Sequence, residues 1–209
     1  MAKLNKHELA SEVYQLSTSG YHVHNPYHNL IHSWQVYKAC DNLLQLQGLE
    51  PSDELIWASL YHDYNHSGGT EFDTINIDKA VKGVKEGVAQ FAELFPDQPP
   101  VDLDKIESMI RCTLYIGTFP NEPKTLEEQC IRDADIMTAF VDNDIAVLLL
   151  KGLYKEMTYS KPTLTIQEFI DMNFKFLSSA KYYTEPAKDL VEQFLTLNLK
   201  RLSPQILET

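Results

Sequence analysis

Apolar residues recur three and four positions apart along nearly the whole chain, and hardly any stretch alternates apolar with polar residues. A 3.6-residue recurrence suits helices that bury one face, and the shortage of two-residue alternation leaves little from which to build a sheet. The expected fold class is therefore all-α, a single-domain helical bundle spanning residues 1–209. Composition agrees: 44% hydrophobic residues supply one sizeable core, and the 8 Gly and 10 Pro are dispersed, with no repeats or low-complexity segments. The longest apolar run, Ile145 to Leu150, is far shorter than the roughly 20 residues a bilayer crossing needs, so no membrane span is expected. The start, Met1 to Leu9, carries charge where a secretory signal needs an apolar stretch, which predicts a cytoplasmic protein. Cys40, Cys112 and Cys130 are odd in number and widely spaced, and read as reduced core thiols.

Helix boundaries follow from caps and breakers. After an N-terminal helix, Asn25-Pro26 predicts a helix start and Gly48 its stop, with Leu30, Ile31, Trp34, Leu43 and Leu44 inward. A second helix follows Pro51-Ser52 and carries Leu55, Ile56, Ser59, Leu60, His62, Asp63 and His66 on one stripe until Gly68-Gly69 breaks it. Further helices are predicted over 77–95, 102–116, 125–157 with a break near 142–144, 165–180 and 184–202. Two of them open on capping boxes, Thr125-x-x-Glu128 and Thr165-x-x-Glu168.

All seven histidines lie in the first third of the chain, and four form the i, i+4 pairs His28/His32 and His62/His66. One such pair is commonly a half-exposed surface feature. Two pairs on adjacent helices, with Asp63 beside His62, converge on one place if each lies on a helix face. Mixed imidazoles and carboxylates suit a borderline divalent ion such as zinc, manganese, iron or cobalt better than calcium. A further carboxylate is expected from Arg132-Asp133-Ala134-Asp135, where burial among apolar residues is costly unless the group is ligated or paired. His7, His22 and His24 are expected to be solvated or in loop hydrogen bonds, and Met137, Phe140, Val147, Leu148 and Leu150 to be core. Tyr27, Tyr61, Tyr64 and Tyr115 are candidate stacking surfaces for a base, or packing residues.

Several chemistries are excluded. A glutamate does not follow His28 or His62, so H-E-x-x-H proteolysis fails, and no G-x-S-x-G elbow, Walker loop or G-x-G-x-x-G is present. A net charge of −12 argues against general affinity for nucleic-acid backbones or anionic lipid. A small phosphorylated substrate stays open, since metal ions held by carboxylates can meet its charge.

Asn25-Pro-Tyr-His-Asn-Leu-Ile-His32 and His62-Asp-Tyr-Asn-His-Ser-Gly68 are similar to the Y-H-N-x-x-H and H-D-x-x-H-x-G signatures of cyclic nucleotide phosphodiesterases. The order His32, His62-Asp63 and a distant Asp135 resembles the wider HD-domain superfamily of metal-dependent phosphohydrolases. The resemblance implies an HD-type bundle holding two divalent ions (Mn, Fe, Zn, Co or Mg). It implies that His32, His62, Asp63 and Asp135 bind the first metal, with Asp63 bridging to a second and Asp133 in reserve. His66 is then near the second metal or the substrate phosphate, and His28 protonates the leaving oxygen. Asp63, His28 and His66 are the implied catalytic residues. Gln193-Phe194 corresponds to the pair that clamps the base, while Glu71-Phe72-Asp73 departs from the family's asparagine.

The implied activity is hydrolysis of a phosphoester of a small nucleotide, two metal ions lowering the pKa of a shared water and neutralising phosphoryl charge. A nucleotidase or deoxynucleoside triphosphate triphosphohydrolase of the same superfamily is the alternative within enzymes. A non-catalytic nucleotide-binding module is the alternative outside them.

Overall fold

The computed structural model describes residues 3–22, 24–137 and 143–198. Within them the chain is all-α, with nine α-helices and no strand: α1 Lys6–Ser17, α2 Leu30–Gln45, α3 Asp53–Tyr61, α4 Asp73–Leu94, α5 Leu103–Cys112, α6 Leu126–Met137, α7 Asn143–Ser160, α8 Ile166–Ser179 and α9 Glu185–Asn198. No described helix is long and apolar enough to cross a membrane.

Helix α3 is the hub. Every residue from Leu55 to Tyr61 is buried, so it has no solvent face, and α1, α2, α4, α5 and α6 all pack against it. A helix apolar all round is stable only inside such a ring. Ser52 caps it, its hydroxyl accepting from the Leu55 amide at 3.0 Å. The capping boxes at Thr125 and Thr165 both form. The break expected within 125–157 falls between α6 and α7; its residues 138–142 lie outside the described ones, as do Phe140 and the end predicted at 202. Cys40, Cys112 and Cys130 are free and buried. Leu148, expected in the core, is half exposed, and so is Ile31, because α2 turns His32, Ser33, Val36 and Tyr37 inward instead.

Two boundaries differ from the prediction in a way that matters for the site. Helix α2 begins at Leu30, not near Asn25, because Asn29 is the stronger cap. Its Oδ1 accepts from the Ile31 and His32 amides at 2.9 and 3.2 Å, while its Nδ2 donates to the carbonyls of Asn25 and Pro26. Helix α3 stops at Tyr61, and His62 to His66 form a turn closed by Tyr64 N–H to Tyr61 O and His66 N–H to Asp63 O. Asn65 sits at φ 60°, which an α-helix cannot accommodate. Neither histidine pair is therefore an i, i+4 pair on a helix.

Tight packing holds these turns. The Tyr64 ring lies between Gly20 and Gly83, where an added Cβ would be 2.1 and 2.2 Å from ring carbons. Helix α7 approaches the 25–28 loop so closely at Gly152 that a Cβ there would be 2.1 Å from the Pro26 carbonyl oxygen. That contact places Glu156, one turn further on, under the loop.

Candidate metal centre

His32 comes from the first turn of α2, His62 and Asp63 from the turn after α3, and Asp135 from α6. The Nε2 atoms of His32 and His62, both essentially inaccessible, face each other at 3.2 Å. Asp63 Oδ2 is 3.2 Å from the first and 3.0 Å from the second, and Asp135 Oδ1 is 3.2 and 3.5 Å from them. His62 Nδ1 donates to the Ser59 carbonyl oxygen at 2.8 Å, which in the neutral ring leaves the Nε2 lone pair pointing into the cluster.

This is the donor set a divalent ion needs. Asp63 Oδ2 is buried and receives no hydrogen bond of acceptable geometry, despite its short contacts with both imidazoles. Electron-pair donors turned on one another in a dry interior are costly without a shared cation or proton. Burial by itself would push both carboxyls up, yet the imidazoles of His62, His28 and His32 outweigh it and hold Asp63 well below the usual carboxylate range. Asp135 is lowered against its burial in the same way by His32 and His62. His62 moves oppositely: burial disfavours its imidazolium, but Asp63 and Asp135 raise it well above the ordinary value. Protons on imidazole here neutralise what a metal would neutralise.

A second triad adjoins the first. His28, Asp63 and His66 each bring one ligand-type atom to within 4.8 Å of the others, as do His32, His62 and Asp135. Asp63 thus joins the two groups: it is a member of the second triad, and its Oδ2 also faces the two imidazoles of the first, so each set of mixed nitrogen and oxygen donors could hold a metal ion. The His28 and His66 rings stack at 3.6 Å. The Gly68 amide donates to His66 Nδ1 at 3.0 Å, and Asn76 Nδ2 and Asp73 Oδ1 lie 3.0 and 3.7 Å from its Nε2. Burial and then the charge on His28 push the His66 imidazole down, keeping it neutral.

His28 is held from behind. Glu156 Oε2 lies 2.5 Å from His28 Nδ1, and its Oε1 accepts from the backbone amides of Tyr27 and His28 at 2.8 and 3.0 Å. Burial disfavours the imidazolium, but Asp63, Glu156 and Asp135 outweigh it and raise His28 above its ordinary value. With Nδ1 occupied, Nε2 is the nitrogen left for other partners.

All six candidate residues, His28, His32, His62, Asp63, His66 and Asp135, are brought together. Asp133 is not: it is fully buried elsewhere, accepting from the Tyr183 and Thr184 amides and the Thr184 hydroxyl at the start of α9. His7, His22 and His24 are exposed, and His22 Nε2 contacts Asn65 Oδ1 at 2.7 Å. Sequence reasoning missed Glu156, Asn76, Asp73 and the stapling role of Asn25, whose Nδ2 donates to the His66 carbonyl at 2.6 Å. An isolated glutamate at the end of an apolar helix run carries no spacing signal, and Asn76 falls outside the segment where an asparagine was sought.

The centre forms one pole of a cleft of about 630 Å³. Much of the remaining lining is apolar, supplied by Tyr115 and Phe119 after α5, Leu153 and Met157 of α7, and Met172 and Phe176 of α8. Tyr27 and Tyr115 reach the cleft, whereas Tyr61 and Tyr64 pack against Gly87, Gly20 and Gly83. Gln193 is exposed and does not line the cleft, and the Phe194 side chain lies outside the described residues. Asn173 and Phe176, three apart on α8, line it instead. No protein-family model, curated protein or solved structure matches this chain.

Proposed function

We propose that the chain is an HD-domain-type, metal-dependent phosphohydrolase that cleaves a phosphoester of a small nucleotide, with phosphodiesterase-like chemistry. The observation that carries this reading is the convergence of His32, His62, Asp63 and Asp135, whose two aspartates line the cleft, with a second triad through Asp63 beside it.

His32, His62 and Asp135 would hold one ion, His28 and His66 flank the position of another, and Asp63 belongs to both. Two divalent ions so held supply an acidified water and positive charge against the phosphoryl oxygens. The chain's own part is to orient and to exclude water. Ser59 fixes the tautomer of His62, and the Gly68 amide donates to Nδ1 of His66. Asp63 and then Glu156 favour the His28 imidazolium against its burial, and Glu156 at Nδ1 leaves Nε2 available, the arrangement of a general acid that delivers a proton to a leaving oxygen, worth about 10²–10⁴-fold. That charged pair supports catalysis over a non-catalytic nucleotide-binding module, because sequestration needs no proton donor. The apolar wall offers the nucleoside a surface on which to stack.

The test is hydrolysis of cyclic mononucleotides, cyclic dinucleotides, nucleoside monophosphates and triphosphates with added Mn²⁺, beside Asp63→Asn. Turnover by the wild type alone supports the proposal and names the substrate, separating a phosphodiesterase from a nucleotidase or triphosphohydrolase. Tight nucleotide binding without turnover of any compound would overturn it in favour of the binding module.

A further inference from the structure

Arg132 is 1% exposed, and among the described residues no carboxylate is paired with its guanidinium. The carboxylates of Asp135 and Glu122 act on it only from beyond ion-pair distance, and a buried charge without a direct ion pair is costly unless its N–H groups have specific partners. Here Nε donates to the Cys112 carbonyl and Nη2 to the Asn121 carbonyl at 2.6 Å, and the guanidinium carbon lies 4.0 Å from the centroid of the Phe119 ring. Cys112 and Asn121 bound the segment that leaves α5 and carries Tyr115 and Phe119 to the cleft. Asn121 Nδ2 returns to the Arg111 carbonyl at 2.7 Å, and the Tyr115 amide donates to Asp73 Oδ2 at 2.8 Å. The Tyr115 ring stands 4.9 Å from Phe119 and 5.3 Å from Phe176.

Three residues further along α6 is Asp135, whose carboxylate belongs to the metal-ligating cluster. One helical turn therefore carries both a metal-pole carboxylate and the clamp on the aromatic wall. We infer that Arg132 is a positioning residue that sets the Tyr115–Phe119 wall at a fixed offset from Asp135, and so selects ligands whose aromatic part lies at a fixed distance from the phosphate, as in a nucleoside phosphate. The ligand class rests on the hydrolase reading above; the clamp does not. Lysine cannot substitute, because one ammonium cannot span both carbonyls and lie flat beneath a ring.

The experiment compares wild type with Arg132→Lys, both loaded with Mn²⁺, using inorganic phosphate and the four nucleoside 5′-monophosphates as probes in equilibrium binding. Phosphate reads the metal pole alone, and the nucleotides read pole and wall together. Metal content and phosphate affinity are expected to be retained, with the best nucleotide weakened about tenfold or more. Hydrogen exchange should rise at amides 113–121 and stay unchanged in α3. Equal loss for phosphate and nucleotide, or no loss for either, overturns the selective role. Wild-type protein that binds phosphate but no nucleotide overturns the hydrolase reading's substrate and the ligand class inferred here, whereas unchanged exchange at 113–121 overturns the clamp alone. If Arg132→Lys does not fold, Phe119→Leu leaves both carbonyl bonds in place. It should weaken the nucleotide about fivefold with phosphate unaffected, and equal affinity for nucleotide in that variant and wild type overturns the inference.

Discussion

The Glu156 carboxylate grips His28 at both its ring and its backbone, with Oε2 2.5 Å from Nδ1 and Oε1 3.0 Å from the amide, across 128 residues of chain. A neutral amide at this position would retain an acceptor for the two backbone N–H groups but withdraw one of the charges that, with Asp63, raise His28. Glu156→Gln is therefore expected to keep its metal and lose turnover. Because His28 is raised in the native protein, its acid form persists to higher pH, so the alkaline limb of the kcat profile should move to lower pH in the variant. Profiles of kcat against pH for both proteins check this, and an unshifted limb would remove His28 from the acid role.

Asp63 belongs to the triad with His28 and His66, and its Oδ2 also lies 3.2 and 3.0 Å from the Nε2 atoms of His32 and His62. Asp63→Ala should therefore lose all bound metal and all turnover, while His28→Ala should retain the metal held by His32, His62 and Asp135 and lose turnover. Asp135→Ala should lose metal, whereas Asp133→Asn should retain it and lower stability by about 1–3 kcal/mol by breaking the acceptor set at the start of α9. Elemental analysis with thermal unfolding separates these cases; metal loss in Asp133→Asn would show the wrong carboxylate had been chosen.

Metal uptake should release protons. His62 is raised above its ordinary value by Asp63 and Asp135, against its burial, and an imidazole must be deprotonated to ligate. A raised imidazole pKa contributes stability at low pH that is lost as pH rises through the folded value. Metal affinity, and the rise in Tm that metal produces, should therefore both grow with pH from the acid side of neutrality upward. Calorimetry in buffers of different ionisation enthalpy reads the protons directly, and a pH-independent affinity would contradict the cluster.

Gly83→Ala should destabilise the protein by about 1–3 kcal/mol, because the new Cβ would be 2.2 Å from a Tyr64 ring carbon with Gly20 on the ring's other side. Truncating the ring relieves the clash, so Tyr64→Ala should cost less in the Gly83→Ala background than alone. Denaturant unfolding of the double-mutant cycle measures this, and additive effects would show that the ring does not fill the gap between the two glycines.

The amino-acid pattern by itself determined the all-α class, the two capping boxes at Thr125 and Thr165, the free buried cysteines and five of the six residues that meet at the centre, His28, His32, His62, Asp63 and His66. These are local properties, since periodicity, capping and residue type act over a few positions. The histidines were legible for a reason that does not hold in the fold. They were read as i, i+4 neighbours on helices, yet Asn29 starts α2 after His28, and the left-handed Asn65 ends any helix before His66. What brings His28 to His66 is the loop stapled by Asn25 and Asn29 and gripped by Glu156, and these contacts join residues 41 and 128 positions apart. The choice of Asp135 over Asp133 was likewise tertiary. Adjacent odd positions on one helix point to different sides, and only the packing of α9 on α6 shows that Asp133 is occupied by the amides of Tyr183 and Thr184. The pattern assigned Arg132 no role; its burial beneath the Phe119 ring depends on where the chain after α5 returns, and no short-range rule carries that information.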